Sequence, residues 1–152
     1  MANIVPYSFQ QELFKGGHNF ANGGSTYYVS LYTANPYTTA STVFSGVDEV
    51  SSGSGSLYAA LQLQNQAVAN QSNVATVDWT TNPSWGPGAT FAAAFGAIYK
   101  FTGNVANDLL VVVLDFNGTK SCSNGTFTIT FPAPASGTPA GSGAILSITG
   151  PA

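Results

Sequence analysis

The sequence predicts an all-β domain, an antiparallel β-sandwich or barrel of about seven or eight strands with one short N-terminal helix. Three observations carry this. Apolar residues alternate with polar ones at a period of two in segment after segment, the pattern of strands with one face inward. Clusters of Gly, Pro, Asn and Ser interrupt these segments about every 8 to 12 residues. No helix-period segment separates the strands, so a parallel sheet, which needs crossover helices, is excluded. The 152 residues suffice for one domain with its own core, and a single domain over 1–152 is expected.

Residues 6–15 are the one good helix candidate. Pro6 suits a first helical position, Phe9 and Leu13 stand four apart, and Gly16-Gly17 supplies the stop. From Ser25 the period changes to two: Tyr27, Val29 and Leu31 alternate with Tyr28, Ser30 and Tyr32, a strand with one aromatic face. Asn35-Pro36 ends it. Residues 36–56 read as a long polar loop whose Gly/Ser-rich end is a loop tip, and loops of this length are usually functional or flexible. Leu57 to Leu63 reads as a second strand, and Val74 to Trp79 as a third with Ala75, Val77 and Trp79 on one face. Turn chemistry surrounds Trp85, from Thr80 to Pro83 and at Gly86-Pro87-Gly88.

Ala92 to Phe116 forms the expected core hairpin. Leu109 to Leu114 is the longest unbroken aliphatic run in the chain, bounded by Asn107-Asp108 and Asn117-Gly118. Such a run reads as a strand covered on both faces and is too short for a membrane-spanning helix. A loop is expected between Asn117-Gly118 and Ser123-Asn124-Gly125. Phe127, Ile129 and Phe131 then alternate with threonines in a further strand. A Pro/Gly-rich segment, 132–143, precedes a terminal strand from Ala144 to Ile148.

Charged residues make up 6% of the chain, against about 25% in typical soluble domains. There are three lysines (Lys15, Lys100, Lys120), no arginine and six acids, for a net charge of −3. The surface must therefore be built from Ser, Thr, Asn, Gln and Gly. It has few salt bridges and little repulsion between copies, which suits dense packing against other chains or life outside cells. Three scattered lysines make no basic stripe, so neither nucleic acid nor an anionic membrane surface is an expected partner. Cys122 is the single cysteine, which rules out an internal disulfide and reads as a small residue near a turn. The N-terminus lacks the pattern of a signal peptide, so synthesis and folding in a cytoplasm are expected. The Asn-x-Ser/Thr matches at Asn70, Asn117 and Asn124 then read as turns.

No catalytic constellation is expected. His18, the sole histidine, sits beside Gly17 in a turn, and any His-based triad would have to run through it. Asp48, Glu49, Asp78, Asp108 and Asp115 are spread over loops and strand ends, where solvated acids and turn caps are the ordinary reading; a glycosidase pair would have to face across a cleft. Gly53-Ser54-Gly55 is not placed between a strand and a helix, as a dinucleotide fingerprint would be. Asp48-Glu49 is too small a cluster for calcium. No cofactor or metal is expected. Tyr27, Tyr28, Tyr32, Tyr37 and Trp85 belong to a core or a subunit interface, with sugar stacking as the other use of such rings.

The order of segments carries a resemblance. A short amphipathic N-terminal stretch leads to Tyr-Tyr-Val-Ser-Leu-Tyr at 27–32, then Asp48-Glu49-Val50-Ser51 and Ala75-Thr76-Val77-Asp78-Trp79. Gly96-Ala97-Ile98-Tyr99-Lys100 follows, with Thr102-Gly103, Asp108-Leu109-Leu110-Val111 and Leu114-Asp115-Phe116, and Asn124-Gly125-Thr126-Phe127-Thr128-Ile129 closes it. This resembles small virion structural proteins of tailed bacteriophages, of the head-decoration or cement type, over roughly residues 7 to 148. The low charge and the proline-rich stretch depart from the pattern. The resemblance implies a non-enzymatic protein on the outer surface of the virion capsid, made in the host cytoplasm. It would bind the major capsid protein as a homo-oligomer, a trimer first, and stabilise contacts between capsid subunits. A tail- or fibre-associated receptor- or glycan-binding module is the alternative. The helix and the 36–56 loop are the expected contact elements, with Phe9, Leu13, Phe14, Tyr37, Phe44 and Trp85 as interface residues.

Overall fold

The computed structural model describes residues 3–53, 55–71, 74–131 and 145–149. The Pro/Gly-rich segment 132–143 lies outside the described residues.

Helix α1 spans Tyr7–Phe14. Pro6 enters it with φ −64°, and its end is capped by the Lys15 N–H on the Gln11 carbonyl (3.1 Å) and the Gly16 N–H on the Leu13 carbonyl (3.2 Å). Gly16 follows at φ +72°, a left-handed conformation that glycine adopts without a Cβ penalty. The helix thus lies within one residue of the expected 6–15 at each end.

Seven strands follow: β1 Tyr27–Tyr32, β2 Leu61–Gln62, β3 Gln66–Gln71, β4 Val74–Trp79, β5 Ser84–Lys100, β6 Leu109–Thr128 and β7 Leu146–Thr149. They form two antiparallel sheets, ordered β2-β1-β5-β6 and β3-β4-β7. The all-β reading holds, and of the two expected architectures, sandwich or barrel, the two sheets make a sandwich-like fold. Between them lies the main core, where Val29, Leu31, Ile98 and Val112 of the first sheet meet Trp79 of the second, with Val77 and Leu146 packed at its margin. Phe9 of α1 and Phe20 complete one end, while Tyr58, Trp85, Phe91 and Phe127 form an aromatic cluster at the other.

The first sheet is covered on its other face as well. Tyr32, Tyr37, Ala97, Leu110 and Val113 make a second core, closed by Ile4, Phe44 and Phe95. The 36–56 segment supplies much of that cover. It is anchored by the bridge of Val43 to Leu109, by the Phe44 N–H on the Asp108 carbonyl (2.7 Å) and by the Val50 N–H on the Leu31 carbonyl (2.9 Å). β1 is therefore buried on both faces, where one inward face was expected. Leu110, Val111, Val112 and Val113 are buried throughout, as an unbroken aliphatic run requires.

Other boundaries differ. The expected strand over Leu57–Leu63 contracts to β2. The expected loop after Asn117-Gly118 is strand: β6 runs on to Thr128, and Asn117 (φ 53°), Gly118 (φ 102°) and Asn124 (φ 48°) are kinks within it. Asn and Gly tolerate left-handed backbone, which serves an irregularity inside a strand as well as a turn between strands. β5 likewise absorbs the Gly86-Pro87-Gly88 turn signal, with a register shift between Trp85 and Ala89. β3 was not anticipated, and Asn70, read as a turn, lies within it. In β4, on the face shared by Ala75, Val77 and Trp79, Trp79 enters the core, Val77 is half-buried and Ala75 is exposed, while Val74, Thr76 and Asp78 are buried.

Candidate functional site

Of the six expected interface residues, the fold leaves one open. Phe9 is buried in the core and Leu13 packs against its margin. Trp85 is 2% exposed, and its indole N–H donates to the Ala59 carbonyl at 2.7 Å. Tyr37 is buried with its hydroxyl 2.7 Å from that of Tyr32; it accepts the Ser45 N–H at 2.9 Å and reaches the Ser45 carbonyl at 3.1 Å. Phe44 is half-buried, its ring 4.5 Å from that of Tyr99. Expecting Phe9, Tyr37 and Trp85 at an interface is corrected here: each is buried against its own chain, while Leu13 and Phe44 are half-buried. A large ring gains more by folding onto the nearest apolar face than by staying in water, and sequence alone does not say where that face is. Phe14 is 94% exposed.

Phe14 is not isolated. Tyr7 stands seven residues earlier on the same helix, 62% exposed, and Val5 just before the helix is also exposed. At 3.6 residues per turn, positions seven apart share a face, whereas Phe9 and Leu13 lie on the opposite one. α1 is therefore apolar on two faces. Phe9 and Leu13 hold it to the core, and Tyr7 and Phe14 point away. Gln10 and Gln11 are exposed beside them. The ion pair on the helix, Lys15 to Glu12 at 3.0 Å, is exposed and contributes little. The seven-residue spacing of Tyr7 and Phe14 was readable, but Tyr7 was not among the residues singled out.

His18 lies under the helix among aromatic rings, edge-on to Phe9 at 5.0 Å and stacked on Phe20 at 5.7 Å. Its Nδ1 is 3.4 Å from the Tyr27 hydroxyl. Burial, with the Lys100 charge, lowers its pKa to about 4, so the ring is neutral at neutral pH. Burial raises the Tyr27 hydroxyl well above the usual tyrosine value. This is the geometry of a packed core histidine. The acids serve separate structural ends. Asp108 accepts from the Thr102 N–H (2.7 Å) and Oγ1 (2.8 Å) and so closes the β5–β6 connection. Glu49 accepts from the Tyr58 hydroxyl at 2.7 Å, and that hydroxyl accepts the Leu31 N–H at 2.9 Å. Asp78 accepts the Trp79 N–H at 2.8 Å, and burial raises its pKa. Cys122 is half-buried at the margin of the main core. Among the described residues no three His, Cys, Asp or Glu side chains gather as a metal site.

One cleft of about 250 Å³ opens between residues 22–26 and 62–66. Asn22, Ser25, Thr26, Gln62, Gln64 and Asn65 contribute most of its polar lining, and it holds no charged side chain. No helix among the described residues is long and apolar enough to cross a membrane. Comparison with known protein families, with curated proteins and with solved structures finds no match.

Proposed function

We propose that the chain is a non-enzymatic structural protein of the capsid-decoration, or cement, type. It attaches to the outer surface of a phage head and bridges neighbouring copies of the major capsid protein. The observation that carries this reading is the outward face of α1: Tyr7 and Phe14, exposed on a helix already anchored through its other face. Large aromatic side chains are enriched among binding hot spots, and here an anchored helix presents two of them outward. The order of strand motifs from 27 to 129 supports the phage assignment. The low charge suits close packing among many chains. Attachment at several points on one lattice turns weak single contacts into tight binding through effective concentration. A cement of this kind needs only surface complementarity, with about 1,200–2,000 Å² buried at each stable contact.

The test is rebinding. Heads stripped of the protein, or assembled without it, are incubated with the purified chain and then heated. The wild-type chain binds at saturable stoichiometry and raises the temperature at which the heads release DNA, and Phe14→Ala loses at least about tenfold in affinity. Wild-type chain that neither binds heads nor shifts their rupture temperature overturns the proposal.

A second reading is a glycan-binding module at the tail, favoured by the uncharged, amide-rich cleft between 22–26 and 62–66, whose groups match sugar hydroxyls. It predicts glycan binding lost in Gln64→Ala, with attachment to heads absent.

A further inference from the structure

The two sheets treat their edges differently. In the first, one edge is β2, two residues long. The other is β6, covered over its first half: the Ile4 and Val113 backbones exchange bonds of 2.9 and 2.8 Å, and the Leu110 N–H donates to the Thr42 carbonyl at 3.0 Å. Its second half carries Lys120 and is kinked at Asn117, Gly118 and Asn124. Short edges, covering segments, a lysine and irregular backbone are the ordinary means of stopping strands of different molecules from pairing.

Beyond Gln66, whose amide donates to the Ala21 and Ser25 carbonyls, β3 has none of them among the described residues. It is an outer strand of its sheet among the described residues, six residues long, and pairs with β4 without a register shift. Its sequence, Gln-Ala-Val-Ala-Asn-Gln, contains no charge and no proline. In an antiparallel ladder alternate residues point their N–H and C=O away from the partner strand, so β3 offers a regular row of donors and acceptors outward. Val68 is 57% exposed on the same face as its cross-strand partner Val77, which in turn pairs with Leu146. The next row on that face, Asn70-Ala75-Ile148, is also open, with Ile148 62% exposed. This is the core-facing side of the second sheet, running out past the core.

We infer that a second copy of this chain pairs with it along β3, antiparallel about a two-fold axis perpendicular to the sheet. The two three-stranded sheets become one six-stranded sheet. A two-fold of this kind is self-complementary, so β3 needs no second surface, and an uncharged strand brings no like charges together on its own copy. The axis keeps the faces in common. Each row of Val68, Val77 and Leu146 continues into its counterpart, and the exposed apolar patches join. β3 is preferred to β7 because it is longer, six residues against four. The pairing is two-fold, in place of the trimer that the phage resemblance implies, and it does not rest on the capsid reading, since it is measured without capsids.

The test is the mass of the full chain in solution, by sedimentation or light scattering over micromolar concentrations. The wild type sediments as two chains. Val68→Lys, which sets like charges against each other across the axis, raises the dissociation constant by about tenfold or more while circular dichroism stays unchanged. Ile148→Lys, at the far edge of the sheet, leaves the dimer intact. A monomeric wild type, a trimer, a Val68→Lys dimer of unchanged affinity, or equal loss in Ile148→Lys each overturns the inference.

Discussion

The first and second sheets are built from similar residues to opposite ends. In the first, β1, β5 and β6 are sandwiched between two cores, and Val29, Leu31, Ile98 and Leu110 are without exposure. In the second, one face meets the core only near Trp79 and then runs into solvent at Ala75, Val68 and Ile148. The first sheet holds the fold, while Val68, Ile148 and the outer face of α1 stay exposed. If those exposed faces are the ones that bind, as proposed, stability and attachment reside in different residues and respond to different substitutions.

The largest effects belong to the first sheet and its aromatic end. Trp85→Ala removes a ring packed against Phe91 and Phe127 together with its bond to Ala59, and Ile98→Ala opens a cavity between Val29 and Val112. Each should cost about 3–5 and 2–5 kcal/mol respectively in urea denaturation. A loss below about 1 kcal/mol at Ile98 would break the contrast between the sheets.

Next in size is Gly24→Ala. A Cβ at this position would stand 2.5 Å from the Asn19 carbonyl oxygen, within a turn already tied by the Ser25 N–H to that oxygen at 2.8 Å. Backbone must move, and a loss of about 1–3 kcal/mol is expected, read by thermal unfolding.

His18 gives a pH dependence to the end of the core beneath α1. Its folded pKa, about 4, lies below the ordinary 6.5, so the unfolded chain takes up the proton first. The contribution is whole above pH 6.5 and is lost as pH falls from 6.5 towards 4. Denaturation midpoints across this window should decline for the wild type and decline less for His18→Phe. Equal slopes would remove His18 as the source.

The smallest effects sharpen the comparison. In the separate chain, Val68→Ala and Phe14→Ala should each change stability by no more than about 0.5 kcal/mol, because both side chains are more exposed than buried there. Phe14→Ala should nevertheless lose attachment. A substantial stability loss at either position would mean that these faces belong to the core.

The same contrast governs what could be read from the residues. A strand buried on both faces must be apolar throughout, so Leu109 to Leu114 declared itself. A strand with a single buried residue carries no such pattern: only Gln66 is buried among residues 66–70, and Gln66–Gln71 passed unnoticed. The kinks of β6 were misread because Asn-Gly satisfies a hairpin turn and a strand irregularity alike. Sequence located the helix, on which Phe14 stands exposed. It misplaced Phe9, Tyr37 and Trp85 because whether an aromatic meets its own chain or another depends on how distant segments fold: 36–56 for Tyr37, and residues 58–59 for Trp85, whose indole bonds to the Ala59 carbonyl. That is fixed by contacts such as Val43 to Leu109, far apart in sequence.

The central claim is attachment to a phage head, and virion imaging with copy counting tests it most directly. The account predicts density for this chain on the outer surface of the head, at a fixed ratio to the major capsid protein, with α1 turned towards the capsid. A few copies confined to the tail, or none in the purified particle, would contradict it.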